Sequence, residues 1–102
     1  MNGALSEFDW DRGNRAKCQK HGVSLAEIEA LFRGAVAVFP DPKHSPVEER
    51  LLAIGKGRRG RYVFLAFTIR VRGTQRFIRP ISARYMHQKE VEHYARETDS
   101  EI

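Results

Sequence analysis

The apolar residues of this chain follow a helical period in its first third and a strand period afterwards. The clearest helical segment starts at Ser24 and carries one apolar face, made of Leu25, Ile28, Leu31 and Phe32. Ser24 and Glu27 have the spacing of a capping box, in which the Glu27 carboxylate returns to the start of the helix. Gly34 is placed to end it. We therefore predict a core-facing helix of about ten residues, with Glu27 and Glu29 off its apolar face.

A second helix is predicted just before this one, over residues 14–22. Good helix formers there lead to the basic residues Lys17, Lys20 and His21, and then to Gly22, a natural stop. The stretch FDWD, residues 8–11, alternates aromatic and acidic residues. That alternation suits a brief edge strand or a lead-in to the helix.

After Gly34 the pattern is that of short strands separated by turn residues. Four segments qualify as strands, namely residues 35–39, 50–55, 62–69 and 76–83. Short connections between consecutive strands imply an antiparallel meander. Together with the helices, this predicts an α+β fold with two N-terminal helices, a four-stranded sheet and a C-terminal helix. We expect the helices to cover one face of the sheet and to leave the other accessible.

The C-terminal segment predicts the last helix and a tail. Residues 87–97 place Val91, Tyr94 and Ala95 on one side of a helix. Residues 97–102 are predicted to fray. No repeat or second domain is visible, so we expect one domain over residues 1–102.

Charge is distributed unevenly along the chain. The net formal charge is +5, yet residues 1–55 sum to −1, whereas residues 56–96 carry eleven Lys or Arg and only two acidic residues. A surface this basic attracts a polyanion, because binding releases the counterions of the polyanion. A basic surface with no dedicated partner is the alternative that the charge pattern leaves open.

Several classes of protein are disfavoured by what the sequence lacks. It has no P-loop, no dinucleotide fingerprint, no cysteine pair and no metal-ligand spacing among its four histidines, so we expect neither cofactor nor metal. Cys18 is the single cysteine and cannot form an internal disulfide, which fits a reducing compartment. No apolar run approaches the roughly 20 residues of a membrane helix, and no signal-peptide pattern is visible. A cytoplasmic protein without a membrane partner is expected.

The cationic residues match what RNA cleavage without a metal requires. A base takes the proton of the ribose 2′-hydroxyl, a cation stabilises the charge on the phosphorane, and an acid protonates the leaving 5′-oxygen. Arg offers a bidentate fork for phosphate and stays charged, while His and Glu can titrate. The candidates are Lys20, His21, Asp41, His44, Glu49, Arg50 and the arginines between residues 70 and 84.

Most of these candidates also have an ordinary structural explanation. Lys20 and His21 could complement a helix C-terminus, and His44 could be a loop hydrogen-bond donor. Glu49 could simply neutralise a neighbouring arginine. The turn GKGRRGR, residues 55–61, is expected to be a solvated hairpin tip or a phosphate contact. Arg84 is the exception, because a structural role at its position would need a specific acidic partner.

Short motifs in a fixed order resemble those of BrnT-type toxins of bacterial type II toxin–antitoxin systems. They extend from about residue 8 to residue 95 and read FDWD, KCQKHGVS, DPKHS, EER, IG and ISAR, followed by a helix with Glu90 and Tyr94. The resemblance implies a RelE-like α+β fold and a ribonuclease that inhibits translation. It also implies neutralisation by a BrnA-type antitoxin with a ribbon-helix-helix domain. We expect the toxin–antitoxin complex to contain a dimer of toxins. The complex would bind operator DNA through the antitoxin.

The resemblance assigns site roles to the residues in the matching motifs, namely Lys20, His21, Asp41, His44, Glu49, Arg50 and Arg84. The leading hypothesis is a metal-independent endoribonuclease in which Arg84 binds the scissile phosphate, supported by Arg50 and Arg79. The proton would be handled by His21, His44 or Glu49. Further RNA contacts are expected from Arg58, Arg59, Arg70, Arg72 and Arg79. The alternatives are a non-catalytic basic module that binds nucleic acid or a partner, and a basic surface that mainly serves an acidic segment of the antitoxin.

The last strand departs from the family pattern at Pro80, which stands in place of an aliphatic residue. Proline cannot donate a ladder hydrogen bond, so we expect a bulge or an unpaired position there. Uninterrupted alternation puts Arg79 and Arg84 on opposite faces of this strand, although Pro80 could reset it. Because Arg84 lies where the strand gives way to the last helix, we expect it rather than Arg79 to meet the phosphate.

Overall fold

The predicted α+β meander is confirmed by a computed structural model, which describes residues 7–41 and 49–99. Its elements are α1 (Arg12–Gln19), α2 (Leu25–Leu31), β1 (Val36–Pro40), β2 (Leu51–Lys56), β3 (Tyr62–Arg72), β4 (Gln75–Tyr85) and α3 (Gln88–Asp99). The four strands form one sheet in the order β1-β2-β3-β4, with every neighbouring pair antiparallel. Within the described residues, every helix is too short or too polar to cross a membrane.

Helix α1 begins and ends earlier than predicted, and a capping box fixes its start. The Asn14 amide donates to the Asp11 carboxylate at 2.9 Å, and the Asp11 amide donates to Asn14 Oδ1 at 2.7 Å. The helix ends at Gln19, which leaves His21 in the turn that follows. Gly22 closes this turn with a φ of 91°, a conformation that favours glycine.

The capping box predicted for α2 is only half present. Ser24 Oγ accepts from the Glu27 amide at 3.1 Å, as expected. The Glu27 carboxylate does not return to the helix start; it accepts hydrogen bonds from Arg58 and Tyr85 instead. Glu27 is only 4% exposed, so the prediction that it lies off the core-facing side is wrong. Donors from distant parts of the chain hold its carboxylate in place.

The core lies between α1, α2 and one face of the sheet. Its fully buried side chains include Cys18, Val23, Ile28, Val63, Leu65, Phe67 and Ile78. Burial raises the pKa of the Cys18 thiol to about 11, so this cysteine behaves as a small apolar side chain. The FDWD stretch serves both predicted purposes, since Phe8 bridges to Ile78 beside β4 and Asp11 caps α1.

The bulge expected at Pro80 is present in β4. In β3, Phe67 pairs with Pro80, and the preceding residue, Ala66, pairs with Ser82. Ile81 is therefore the extra residue of the bulge. The Pro80 carbonyl accepts a hydrogen bond from the Asn14 side-chain amide at 3.0 Å. The Pro80 carbonyl at the bulge therefore has a hydrogen-bond donor from α1.

This bulge changes which arginines share a face of the sheet. Directly paired residues of antiparallel strands project from the same face. Arg84 pairs with Phe64 and Arg79 pairs with Thr68. These two β3 residues are four positions apart, and residues an even number of positions apart on a strand project from the same face. Arg79 and Arg84 therefore project together from the face opposite the core. Uninterrupted alternation, which puts these two arginines on opposite faces, does not hold here. The extra residue at the bulge reverses it, which is the reset that Pro80 left open.

Helix α3 does not join α1 and α2 on the core face. The Tyr94 ring packs edge-on against Tyr62 with ring centroids 5.8 Å apart, and Glu90 forms an ion pair with Arg84. Both contacted residues project from the second face, so the expectation that all helices cover one face is wrong. The helix also runs to Asp99, two residues beyond its predicted end and into the segment expected to fray.

Candidate functional site

A groove opens at the end of the sheet where β3 begins and β4 ends. We call it the end groove; it has a volume of about 690 Å³ and is lined by His21, Gly22, Arg61, Arg84, Tyr85, Met86 and His87. These residues come from the turn after α1, the β2–β3 turn, the end of β4 and the entry to α3. The antiparallel meander brings the four segments to one end of the domain.

Arg84 holds a carboxylate in the end groove through both prongs of its guanidinium fork. Its Nη1 and Nη2 donate to the two oxygens of Glu90 at 2.8 and 2.9 Å, and its guanidinium carbon lies 4.8 Å from the centroid of the Phe64 ring. The His87 amide also donates to Glu90, at 2.8 Å. These contacts lower the pKa of Glu90 to about 2 and raise the pKa of Arg84. Both partners are therefore charged at neutral pH.

Arg61 is held in a different way, against an aromatic ring. Its guanidinium carbon lies 3.9 Å from the centroid of the Tyr85 ring. The Tyr85 hydroxyl donates to Glu27 Oε1 at 2.6 Å, which together with burial raises the pKa of Tyr85. In the described part of the chain, no carboxylate lies within ion-pair distance of Arg61.

Glu27 fixes the turn that carries Arg61 as well as the Tyr85 ring. Its second oxygen, Oε2, accepts a hydrogen bond from the Arg58 amide at 2.8 Å. The turn can approach this closely because residue 57 is glycine; a Cβ there would overlap the Glu27 carboxylate. One buried carboxylate thus joins α2, the β2–β3 turn and the end of β4.

The structure brings only some of the predicted site residues together. His21 and Arg84 line the end groove, Lys20 precedes His21 as an exposed residue, and Arg58 and Arg59 lie in the same turn as Arg61. His44 falls outside the described residues. Asp41 lies after β1, where its amide donates to the Arg50 carbonyl at 2.9 Å.

Glu49 and Arg50 lie at the other end of the sheet. They precede Leu51, the first residue of β2, whereas the end groove lies beside Lys56, the last one. Five residues of strand separate the two ends by about 17 Å. The Glu49 carbonyl accepts from the Thr68 hydroxyl at 2.7 Å, one residue beyond the Leu51–Phe67 pair that ends the β2–β3 ladder. Glu49 and Arg50 are therefore not positioned to act in the end groove.

The remaining predicted arginines form a separate basic region towards the β3–β4 hairpin. Arg79 pairs with Asp11 at 2.6 Å and with Asp9 at 3.5 Å, and Arg72 pairs with Asp9 at 3.1 Å. Arg70 lies on β3 opposite Phe77. Along β3 the partners of Arg79 and Arg84 are about 13 Å apart. Arg79 thus helps to hold the N-terminal segment and lies away from the end groove.

Among the groove residues that the sequence-based site prediction missed, three have polar side chains: Arg61, Tyr85 and His87. Each had a signal, because Arg61 ends the basic turn and the other two follow ISAR closely. No three His, Cys, Asp or Glu residues come together as a possible metal site within residues 7–41 and 49–99.

Comparison with protein-family models identifies the family of this chain. A family model described as "Ribonuclease toxin, BrnT, of type II toxin-antitoxin system" matches residues 10–90, a span that includes every residue lining the end groove. No curated protein matches the chain significantly. The family match spans most of the chain and agrees with the resemblance of the sequence motifs. The chain belongs to the BrnT family of ribonuclease toxins of type II toxin–antitoxin systems.

Proposed function

We propose that this toxin is a metal-independent endoribonuclease that inhibits translation by cleaving RNA in the end groove. Membership of the family makes it a ribonuclease toxin with an RNA substrate and an antitoxin partner. The observation that supports the groove as the site is its set of lining residues: two histidines and two arginines converge there from four segments. That set can supply both the proton transfers and the charge stabilisation of RNA cleavage.

Arg84 binds the scissile phosphate in this mechanism. Its fork already holds the Glu90 carboxylate in a bidentate arrangement, and two phosphate oxygens can take the same pair of donors. RNA would replace Glu90 at this fork, so that the guanidinium faces the charge developing on the phosphorane. The side chain of Arg84 is 36% exposed, which gives RNA access to it.

His21 and His87 carry the proton transfers. Both are exposed and line the end groove, and histidine is the side chain that most often serves as a general acid or base. One would take the proton of the 2′-hydroxyl while the other protonates the 5′-oxygen. Tyr85 is unsuited to the role of base, because its hydroxyl donates to Glu27 and its pKa is raised. Between His21 and Glu49 the geometry favours His21, because Glu49 lies at the far end of β2; His44 lies outside the described residues.

Cleavage of an end-labelled RNA by the purified toxin in EDTA tests this proposal. We expect products that end in a 2′,3′-cyclic phosphate. The variant His21→Ala should cleave about 10²-fold to 10⁴-fold more slowly, the usual contribution of a general acid or base. His93→Ala is the matched control, since His93 is an exposed histidine of α3 that does not line the groove. Cleavage that stops in EDTA and returns with a divalent metal would contradict metal independence.

A non-catalytic binding module is the second candidate. The ion pairs of three arginines favour this candidate. Arg72, Arg79 and Arg84 each have a carboxylate of the same chain as their partner. Such pairing is also what purely structural arginines show. In the same assay, salt-sensitive retention of RNA without any cleavage would identify this function.

We further propose that the antitoxin is of the BrnA type and carries a ribbon-helix-helix domain. In this arrangement two toxins join the complex, and operator DNA is bound through the antitoxin. The basic surface of residues 56–96 suits an acidic antitoxin segment as well as RNA, because both are anionic. Retardation of operator DNA by the complex, but not by the toxin alone, tests this arrangement.

A further inference from the structure

We infer that Arg61 and Tyr85 form a nucleobase-binding subsite in the end groove. In this subsite, a base next to the scissile phosphate stacks on the outer face of the Arg61 guanidinium, whose inner face rests on the Tyr85 ring. This inference rests on the proposed cleavage of RNA in the end groove. It specifies that the part of the substrate bound beside Arg61 is a nucleobase.

The geometry of Arg61 suits stacking. At 3.9 Å from the Tyr85 centroid, its guanidinium carbon is at the distance of a stacked pair. Arg61 is an exposed residue and lines the groove, so the face turned away from Tyr85 is accessible. Bases of single-stranded RNA commonly stack on aromatic rings and on guanidinium planes. The planar group of Arg61 is thus presented as a platform.

The platform is held in place before any ligand arrives. The Tyr85 hydroxyl bonds to Glu27, which orients the ring beneath Arg61. Glu27 also accepts from the Arg58 amide, which anchors the turn that carries Arg61. A group that is already ordered loses less conformational entropy on binding. The buried carboxylate therefore acts as a positioning residue for the subsite.

Arg61 differs from Arg84 and Arg79 in the kind of partner it has. Those two direct their N–H donors at carboxylates, which is the geometry suited to phosphate. The Arg61 guanidinium carbon lies over a ring, and among the described residues Arg61 has no carboxylate partner. The two arginines of the groove therefore suit two different parts of a nucleotide, phosphate for Arg84 and base for Arg61.

Binding of uncleavable 2′-deoxy decamers, measured by fluorescence anisotropy at fixed salt, tests the subsite. Arg61→Lys keeps the charge and removes the plane, so it should weaken binding about 10-fold to 100-fold, the usual range for one stacked base. Arg33→Lys is the matched control, an exposed arginine outside the groove, and should bind like the unchanged toxin. Tyr85→Phe keeps the ring but loses the bond to Glu27, so a smaller loss is expected.

A series of decamers that each lack the base at one position separates base stacking from phosphate contact. At one position, removal of the base should abolish the difference between Arg61→Lys and the unchanged toxin, because the two changes delete the same contact. An Arg61→Lys variant with unchanged affinity would overturn the subsite. So would an equal loss for every decamer, which is the result of a phosphate contact. Because binding is measured, a toxin that shows this coupling but does not cleave RNA contradicts only the proposed enzyme.

Discussion

The variant Arg84→Ala is expected to abolish growth inhibition and to slow RNA cleavage about 10²-fold to 10³-fold, the usual effect of removing one charge-stabilising donor. The fold should survive, because the pair between Arg84 and Glu90 is more than one-third exposed on both sides and such pairs contribute roughly 0–1 kcal/mol. Single-turnover cleavage rates and thermal melting followed by circular dichroism measure the two effects separately.

Glu90→Gln is the control that separates the two possible roles of Arg84. It disrupts the same ion pair but keeps the cation in the groove. If Arg84 acts on RNA, Glu90→Gln should cleave at least as fast as the unchanged toxin, because a competing anion has been removed. If Arg84 only fastens α3, the two variants should lose activity together. An Arg84→Ala toxin that stays fully active would refute the phosphate role.

Gly57→Ala is expected to destabilise the domain by about 1–3 kcal/mol, the usual cost of forcing an added group into a packed site. The new Cβ would overlap the Glu27 carboxylate and also lie 3.1 Å from a methyl group of Val63. The carboxylate would then have to leave its donors, the Arg58 amide and the Tyr85 hydroxyl. Urea denaturation gives the change in the free energy of unfolding.

Two comparisons show whether the Glu27 carboxylate is the cause. Gly34→Ala is the matched glycine control, since a Cβ there would come no closer than 4.0 Å to the neighbouring Leu31 carbonyl. Its stability should change by about 0.5 kcal/mol or less. Combining Gly57→Ala with Glu27→Ala should cost less than the sum of the two single changes, because the overlapping group has been removed. A fully stable Gly57→Ala variant would show that the turn does not need this close approach.

Local sequence patterns predicted the helices and strands of the fold, but they did not predict all of the tertiary contacts between them. The apolar spacing around Ile28 and Leu31 was enough to place α2, and Pro80 was enough to predict a bulge. The burial of Glu27 could not be predicted from the residues near it in the sequence, because its hydrogen-bond donors lie 31 and 58 residues away in the chain. The face of Arg79 depended on how many residues the bulge inserts, which no local pattern specifies.

The candidate site shows the same division. His21 and Arg84 stand in short motifs and were predicted from them, and the structure places both in the end groove. The place of Arg61 depends on the Tyr85 ring, which the buried Glu27 carboxylate orients. It could not be predicted without knowing how α2 packs against the sheet. Glu49 and Arg50 also stand in a motif, yet the direction of β2 carries them to the far end.

Mapping the amide shifts of ¹⁵N-labelled toxin on titration with an uncleavable 2′-deoxy oligonucleotide tests most directly whether RNA binds in the end groove. We predict that the largest shifts occur at Gly22, Arg61, Tyr85 and His87, the amides of residues that line the groove. The same titration reports on the β3–β4 hairpin, residues 70–75, which carries part of the separate basic region. Shifts confined to that hairpin and to Glu49 and Arg50 would contradict the end groove as the RNA site.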